Sequence, residues 1–474
     1  MKYRQFSAVA IVVAFSITSC KTSKVVQDQV LPLPDTYSYN NDSTNLANDT
    51  WVEFFDTPEL VALIDSALRH NPDLNMGLQR LEMARADVMY RRGLRMPNLS
   101  IEGWGGQART AENSVNWAGN EGGTFISGDP LNPTYTDYYL GLQTTWEADV
   151  WGKLKNRKKA AISRFLASIE GKHLVTSNLV ADIAAAYYQL VSLDHQLEAI
   201  QETIKVQEGA LDIVRVQKEA GRANALAVQQ FEVQLLKVKG MEREILQEIN
   251  ATENLINYLT GRYNTSIERN SGDLEDVFSV SLSPGQPAQL LLNRPDIKQA
   301  EKELEASKAD VRAARAAFYP TIGLSAGAGY NAFKPDLLFQ FPQSIAFNLF
   351  GNLSAPILNR SAIKSEFHYA NAVQLEALYN YQKVILVAYT EVSTELANFE
   401  NLKEQYKLKN QEVDILTNSI ETSSELFKTG RASYLEVLLT QQNALEARME
   451  LIEMKQRLFQ SRINMYKVLG GGWR

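Results

Sequence analysis

Few residues of this chain are disposed for chemistry. The four histidines, His70, His173, His195 and His368, are scattered and share no metal-ligand spacing. Glu305 and Asp310 fall on one face of a helical stretch, as paired-carboxylate catalysis would require, but such pairs are common on any exposed helix. The glycines of Gly103-Trp104-Gly105-Gly106 sit in a strand-like segment and not ahead of a helix, so they are no nucleotide-binding fingerprint. No nucleophile motif is present. A single cysteine excludes a disulfide framework and every multi-cysteine metal site. The expectation is a protein without catalysis and without a cofactor, whose function lies in the elements and not in a reactive cluster.

The lone cysteine has a context of its own. Residues 1–20 read MKYRQFSAVAIVVAFSITSC: Lys2 and Arg4, an apolar stretch from Ala8 to Ile17 too short to cross a bilayer, then small and polar residues up to Cys20. That order is a secretory signal peptide. Ile17-Thr18-Ser19-Cys20 resembles the lipobox of bacterial lipoproteins, in which cleavage leaves the cysteine first, to be acylated on sulfur and nitrogen. A signal peptide over 1–19 and a covalent lipid on Cys20 are expected, each buried methylene contributing about 0.8 kcal/mol to membrane attachment. Residues 20–56 read as the tether. Residues 21–50 are polar, with Pro32, Pro34 and an Asn/Asp/Thr-rich run from Asn40 to Thr50, and they carry no apolar period, which predicts an extended segment along the protein surface.

The rest is ordinary folded composition, 45% hydrophobic and 22% charged, which excludes a disordered chain. A net charge of −7 argues against a nucleic-acid partner, which requires a basic face. No apolar run reaches 18 residues, so no helix is expected to span a membrane.

Self-comparison shows a tandem repeat. Asn71-Pro72-Asp73-Leu74 returns as Arg294-Pro295-Asp296-Ile297, Ala86-Asp87-Val88 as Ala309-Asp310-Val311, and Pro97 as Pro320. Nine of the 27 positions from Asn71 to Pro97 are identical at one offset, too many for chance periodicity. Ala220-Gly221-Arg222-Ala223 then matches Thr429-Gly430-Arg431-Ala432, and Gly261 matches Gly470. The offset falls from 223 to 209 between these anchors, which places about 14 extra residues in the first half, in the loop between Gln107 and Thr136. Two structural repeats follow, over 57–285 and 286–474.

Within each repeat the prolines mark out long helices. None lies between Pro133 and Pro284 or after Pro356, and a proline inside a helix costs about 3 kcal/mol. Seven-residue apolar rows fill the gaps: Leu438, Leu445, Ile452, Phe459 and Tyr466 in one, Phe231, Val238, Ile245 and Leu259 in another. Such rows imply helices packed as left-handed coiled coils. The first long helix, from Gly152 to Ala220, would extend roughly 100 Å. It reverses at Gly221 and returns over 222–260. The second runs from Ser361 to Thr429, reverses at Gly430 and returns to Leu469.

Four segments alternate with period two: about 98–107, 136–147, 321–330 and 344–353. Each has about the ten residues a tilted strand needs to cross a bilayer. Aromatic residues sit near their ends, namely Trp104, Tyr138, Trp146, Trp151, Tyr319, Tyr330 and Phe341, as in the girdles of membrane barrels. Four strands cannot close a barrel, and an open sheet edge is excluded from lipid. Strands in a membrane therefore require an oligomer of two, three or more chains sharing one barrel. Strands outside it would form a small sheet packed on helices.

These features together resemble the TolC-like outer-membrane efflux family, in its lipoprotein (OprM-like) branch. The resemblance rests on Trp51-Val52-Glu53-Phe54-Phe55-Asp56-Thr57-Pro58-Glu59-Leu60, on Leu63–Leu68 with Asn71-Pro72-Asp73-Leu74, and on Trp146-Glu147-Ala148-Asp149-Val150-Trp151-Gly152-Lys153. It continues in Asn293-Arg294-Pro295-Asp296-Ile297 and Phe318-Tyr319-Pro320. It covers residues 51 to 470. The resemblance implies a mainly α protein with a transmembrane β-barrel: a homotrimer whose twelve strands form one barrel in outer-membrane lipid, continued by a twelve-helix α-barrel across the periplasm. It implies a lipid-anchored outer-membrane location. It also implies partnership with a periplasmic adaptor (membrane fusion) protein and an inner-membrane RND-type transporter, the chain itself being a passive exit duct for small molecules. The segment near Asp273 to Gln289 and the tail Gly470-Gly471-Gly472-Trp473-Arg474 would lie at an equatorial belt.

The same resemblance implies where mechanism sits. Gly221-Arg222 and Gly430-Arg431 are the expected adaptor-docking turns at the closed end. Glu436, six residues beyond the second turn, is the expected periplasmic-gate carboxylate, forming a ring of three that favours cations. Ala227 stands at the corresponding first-repeat position and Leu439 replaces a second acidic residue, so Phe427 and Tyr434 are added as candidates for an apolar or aromatic constriction. Two other readings stay open: a duct for type I protein secretion, and a coiled-coil structural lipoprotein without a pore.

Overall fold

The structure is a computed structural model that describes residues 34, 36, 37, 45–118, 122–124, 128, 130, 132–270, 272, 284–358 and 360–474. The expected signal peptide, Cys20, and most of the segment 273–289 lie outside these residues.

Eleven principal elements follow in order: α1 (Pro58–His70), α2 (Pro72–Gly93), β1 (Asn98–Arg109), β2 (Thr134–Ala148), α3 (Lys153–Glu219), α4 (Ala225–Leu259), α5 (Pro295–Ala316), β3 (Thr321–Ala332), β4 (Ile345–Ser354), α6 (Ser361–Lys428) and α7 (Tyr434–Val468). After α1 one order occurs twice: helix, two strands, long helix, return helix. Partners match in length, 22 residues for α2 and α5, 67 and 68 for α3 and α6, and 35 each for α4 and α7. The extra residues of the first half lie in the β1–β2 loop, residues 110–133, against 333–344 between β3 and β4. The proline-free gaps are filled by the long helices and their returns, and Pro72 and Pro295 open α2 and α5, where a missing N–H costs nothing.

The chain divides into two compact units, and each draws on both repeats. The first comprises Met83–Phe165 and Lys302–Leu378 among the described residues. It holds one antiparallel sheet in the order β1-β2-β3-β4. The register is regular throughout, so the alternation of each strand adds to that of its neighbours. Leu99, Ile101, Leu140, Leu142, Trp146, Leu324, Ala328, Phe347, Leu349 and Leu353 share one face, while Ser100, Glu102, Gln143, Thr145, Ser325, Asn331, Asn348 and Asn352 share the other. The apolar face is exposed: Ile101 is 75% accessible, Phe347 83% and Leu349 75%. A sheet in water inverts this arrangement, whereas a barrel wall in lipid requires it. Trp151 stacks on Tyr319 at 4.9 Å and donates to the Pro320 carbonyl at one end of the sheet, and Tyr330 packs edge-on against Phe339 at the other. One expected girdle residue is misplaced. Trp104 has the parity of Glu102 and therefore lies on the polar face, three residues out of phase with Ile101. Below the sheet, Ala160, Ala306 and Ala309 are fully buried where α3 and α5 pack closely, and Arg164 of α3 pairs with Asp310 of α5.

The second unit comprises, among the described residues, those of Val30–Glu82, Leu166–Glu301 and Tyr379–Arg474, and its principal elements are helices. Its core includes Leu60, Ile64, Ile183, Tyr187, Leu190, Ile256, Ile297 and Tyr466. The hairpin of α3 and α4 is antiparallel, as its ion pairs Arg215–Glu232 and Lys239–Glu208 require. Lys409–Glu450 joins α6 to α7 in the same sense. The heptad row Phe231, Val238, Ile245 and Leu259 is buried, as is Leu438, Leu445, Phe459 and Tyr466.

The expected surface tether is corrected in its second half. Tyr37 is 2% accessible and stacks on Tyr389 at 5.5 Å. Asn45 and Ala47 are buried. Thr50 and Glu53 form a capping box on a short helix, and Phe54 lies flat on Tyr466 at 4.0 Å. Isolated aromatic residues in a polar run show no period, yet one ring can anchor a strand of backbone to a core.

The two repeats fasten the same junction by different means. Asn71 caps α2 by accepting from Leu74 N–H at 3.0 Å, and its amide donates to the Leu259 carbonyl at the end of α4 at 2.9 Å. Its counterpart Arg294 donates to the Val468 carbonyl at the end of α7 at 2.9 Å. Arg294 also holds Asp296 through two bonds and Glu391 at 2.8 Å. Burial works against its charge, and the hydrogen bonds and charges of Asp296 and Glu391 outweigh that, so its pKa is raised. Gly261 and Gly470 complete the two junctions. A β-carbon on Gly261 would meet the His70 carbonyl at 2.8 Å, and one on Gly470 would meet the Asn293 carbonyl carbon at 2.6 Å. The repeated dipeptide Pro-Asp thus marks a clamp between the start of one helix and the end of another.

Candidate functional site

The two interhelical turns are built identically. Gly221 and Gly430 both have φ of 71°, the left-handed conformation that ends helices and that glycine adopts without a side-chain penalty. Arg222 N–H donates back to the Gln217 carbonyl and Arg431 N–H to the Leu426 carbonyl, each at 2.8 Å. These are equivalent positions of the two repeats. Arg222 and Arg431 are exposed at the tips.

The return helices start differently. Asn224 caps α4 by accepting from Ala227 N–H at 2.8 Å. Ser433 caps α7, and Glu436 completes a capping box, accepting from Ser433 N–H at 2.6 Å and from its hydroxyl at 3.2 Å. The expected gate carboxylate is therefore exposed and is held against the first turn of its own helix. Ala227, its counterpart, is 1% accessible, so a carboxylate could not be accommodated there without burying charge.

Phe427 and Tyr434 are brought together, half-buried against Leu211, Val214, Ala227, Val228, Phe231 and Leu438. This small cluster takes residues from all four long helices and joins the two hairpins near their tips. Arg448 and Glu202 link them again at 2.6 Å. Beside the cluster, a groove of about 420 Å³ between α4 and α7 is lined by Leu226, Val233, Leu435, Leu439 and several glutamines. Leu435 starts a second seven-residue row of α7, through Gln442, Met449, Gln456 and Ile463, yet is 49% accessible. The row continues to the tip, but among the described residues no helix covers it there.

Residues that could do chemistry elsewhere are engaged structurally. Glu305 pairs with Lys302 and Asp310 with Arg164. His173 stacks on Trp473 at 4.4 Å, and His70 contacts the Ser66 carbonyl. Among the described residues no group of three His, Cys, Asp or Glu side chains could hold a metal ion. Among the described residues no helix is long and apolar enough to cross a membrane.

Residues 63–262 and 287–471 each match the family model for the outer membrane efflux protein. The chain belongs to that family. It is 28% identical over 466 residues to the cation efflux system protein CusC of Escherichia coli O6:H1, with 97% of each chain covered. It is 28% identical over 447 residues to the probable outer membrane lipoprotein SilC of Salmonella typhimurium, with 93% of each covered. It is 30% identical over 430 residues to the solvent efflux pump outer membrane protein SrpC of Pseudomonas putida, covering 89% of this chain and 87% of that one. The crystal structure of CusC superposes with a TM-score of 0.84 at 26% identity, covering 96% of this chain and 100% of that one. This outer membrane efflux protein has the TolC-like channel fold and is the outer-membrane component of an efflux system. Its relatives are channel proteins and not enzymes. In this family frame the exposed apolar face of the sheet is the face toward lipid.

Proposed function

We propose that three copies of the chain close one barrel and form a passive exit duct for small molecules, anchored by the lipid on Cys20. A periplasmic adaptor and an inner-membrane RND-type transporter deliver the cargo. One observation carries the reading: a four-stranded sheet with an exposed apolar face and two edges, β1 and β4, that no described strand of the chain covers. In lipid such edges must be paired, and three copies bring twelve strands. The repeats over 57–285 and 286–474 each supply two strands and one helical hairpin to this wall. The native mass of the acylated, detergent-extracted protein tests it. Three chains per particle, with ion conductance in planar bilayers, are expected. A single chain that stays soluble without detergent once Cys20 is replaced by serine would sink the duct.

The turns Gly221-Arg222 and Gly430-Arg431 are the adaptor-docking sites in this reading, supported by their matched geometry and exposed arginines. Phe427 and Tyr434 set the aperture by holding the hairpin tips together, and Glu436 supplies a ring of three carboxylates. Its capping role demands a control. Ser433→Ala removes the cap and costs about 1 kcal/mol of helix stability but keeps the charge. Glu436→Ala removes the charge. The expected result in planar bilayers is lower cation preference for Glu436→Ala and unchanged preference for Ser433→Ala. Equal selectivity in both variants and the parent protein removes Glu436 from the gate.

A further inference from the structure

The polar face of the sheet carries a feature that neither the gate nor the lipid contact uses. Trp104 and Tyr139 stand opposite each other in the β1–β2 register. Their rings stack at 6.0 Å with an interplanar angle of 23°. Trp104 is 51% accessible on this face, although it is the largest apolar side chain there. The Tyr139 ring lies flat along its strand over Gly141, where a β-carbon would collide with its hydroxyl. The Tyr139 ring is thus laid against the wall with no side chain beneath it, and Trp104 stacks beside it.

The charges around the pair have one sign. Two register positions away on one side, Glu102 stands opposite Gly141, and on the other side Asp137 stands opposite Gly106. Glu102 is exposed, and Asp137 accepts from Asn331 at 2.8 Å. The third acidic residue of this face, Glu147, pairs with Lys153. No Lys or Arg occupies a polar-face position in the four strands. Aromatic faces attract cations, and carboxylates on either side strengthen that attraction. Flat faces favour ligands that can stack.

We propose that Trp104 and Tyr139, flanked by Glu102 and Asp137, form a stacking platform in the barrel lumen for planar aromatic cations passing through the duct. The proposal rests on the barrel reading, which makes the polar face the lumen wall. The platform slows such a molecule on its way out, and threefold symmetry presents three platforms at one level.

The test is single-channel recording of the full-length protein in planar bilayers, with ethidium as the planar cation and tetraethylammonium as a cation that cannot stack. Wild-type pores are expected to show ethidium interruptions whose frequency rises with concentration. Trp104→Ala is expected to shorten their dwell time about tenfold, Trp104→Phe to shorten it less, and neither to alter the open conductance by a comparable factor. Glu102→Gln is expected to lower the frequency of interruptions and its salt dependence, since steering by charge is screened. Trp104 is exposed and its ring supports no core, so the variants report on the platform and not on folding. Unchanged ethidium dwell times in Trp104→Ala pores overturn the platform and leave the barrel intact. A Trp104 effect equally large for tetraethylammonium overturns stacking. Absence of any pore in the wild type overturns the barrel on which the platform depends.

Discussion

Gly470→Ala is expected to destabilise the folded chain by about 3 kcal/mol or more, while Gly430→Ala, at a glycine of the same backbone class, costs about 1 kcal/mol. Both have positive φ, 94° and 71°, and an L-residue in that region carries roughly 1–2 kcal/mol of strain. The difference lies in what surrounds them. A β-carbon on Gly430 meets nothing within 4 Å. On Gly470 it meets the Asn293 carbonyl carbon at 2.6 Å, the oxygen at 2.7 Å and the Arg294 nitrogen at 2.9 Å. These are backbone atoms of the helix junction and cannot rotate away, so overpacking of about 1–3 kcal/mol adds to the strain. Denaturant unfolding of the detergent-solubilised proteins, followed by helical circular dichroism, compares the two directly. Equal midpoints for the two variants would show that Asn293 and Arg294 do not grip the tail.

The second large effect is at Arg294. Replacement by methionine keeps an unbranched apolar stem and removes the guanidinium with its charge. It leaves Asp296 and Glu391 without their shared cation and the Val468 carbonyl without its donor. Removing one partner of a buried pair costs about 3–5 kcal/mol. Arg294 qualifies because it is 7% accessible, although Glu391 at 42% side-chain exposure is partly solvated, which favours the lower end. Arg448→Ala supplies the contrast. Its pair with Glu202 is equally short, but both side chains are about half exposed, and such pairs are worth about 0–1 kcal/mol. The same unfolding measurement is expected to separate the two arginines by several-fold. A loss below 1 kcal/mol for Arg294→Met would demote the junction to a surface contact.

Both predictions concern residues that the sequence marks as repeated without saying why. Asn71 and Arg294 align, yet one is an amide and the other a guanidinium, and only the shared target carbonyl at the end of the return helix explains the position. Glu436 is a similar case. Its distance from the turn is legible in the sequence, and so is the Ser433-x-x-Glu436 spacing of a capping box. Phe427 and Tyr434 are visible as aromatic residues near a turn, but their common cluster with Leu211 and Phe231 joins positions some 200 residues apart. Trp104 was available from parity alone, since it is three residues from Ile101 and therefore on the opposite face. The pull of Trp toward membrane girdles is a compositional tendency, whereas the pleat is geometry.

What the sequence by itself determined is the set of properties local in the chain. Two repeats, four strands, two long helices with their returns and the glycines at which they reverse all follow from short-range periodicity and from where proline and glycine stand, because backbone sterics act over a few residues. The membership of the chain in an efflux family was legible for the same reason, as an order of such elements. Only the tertiary structure decided which glycine is gripped and which is free, which heptad row remains open at the tips, that Tyr37 and Phe54 anchor a polar segment, and that Trp104 meets Tyr139. Each of these depends on groups distant in sequence being brought within a few ångströms, and close packing discriminates among positions that local rules treat as equal.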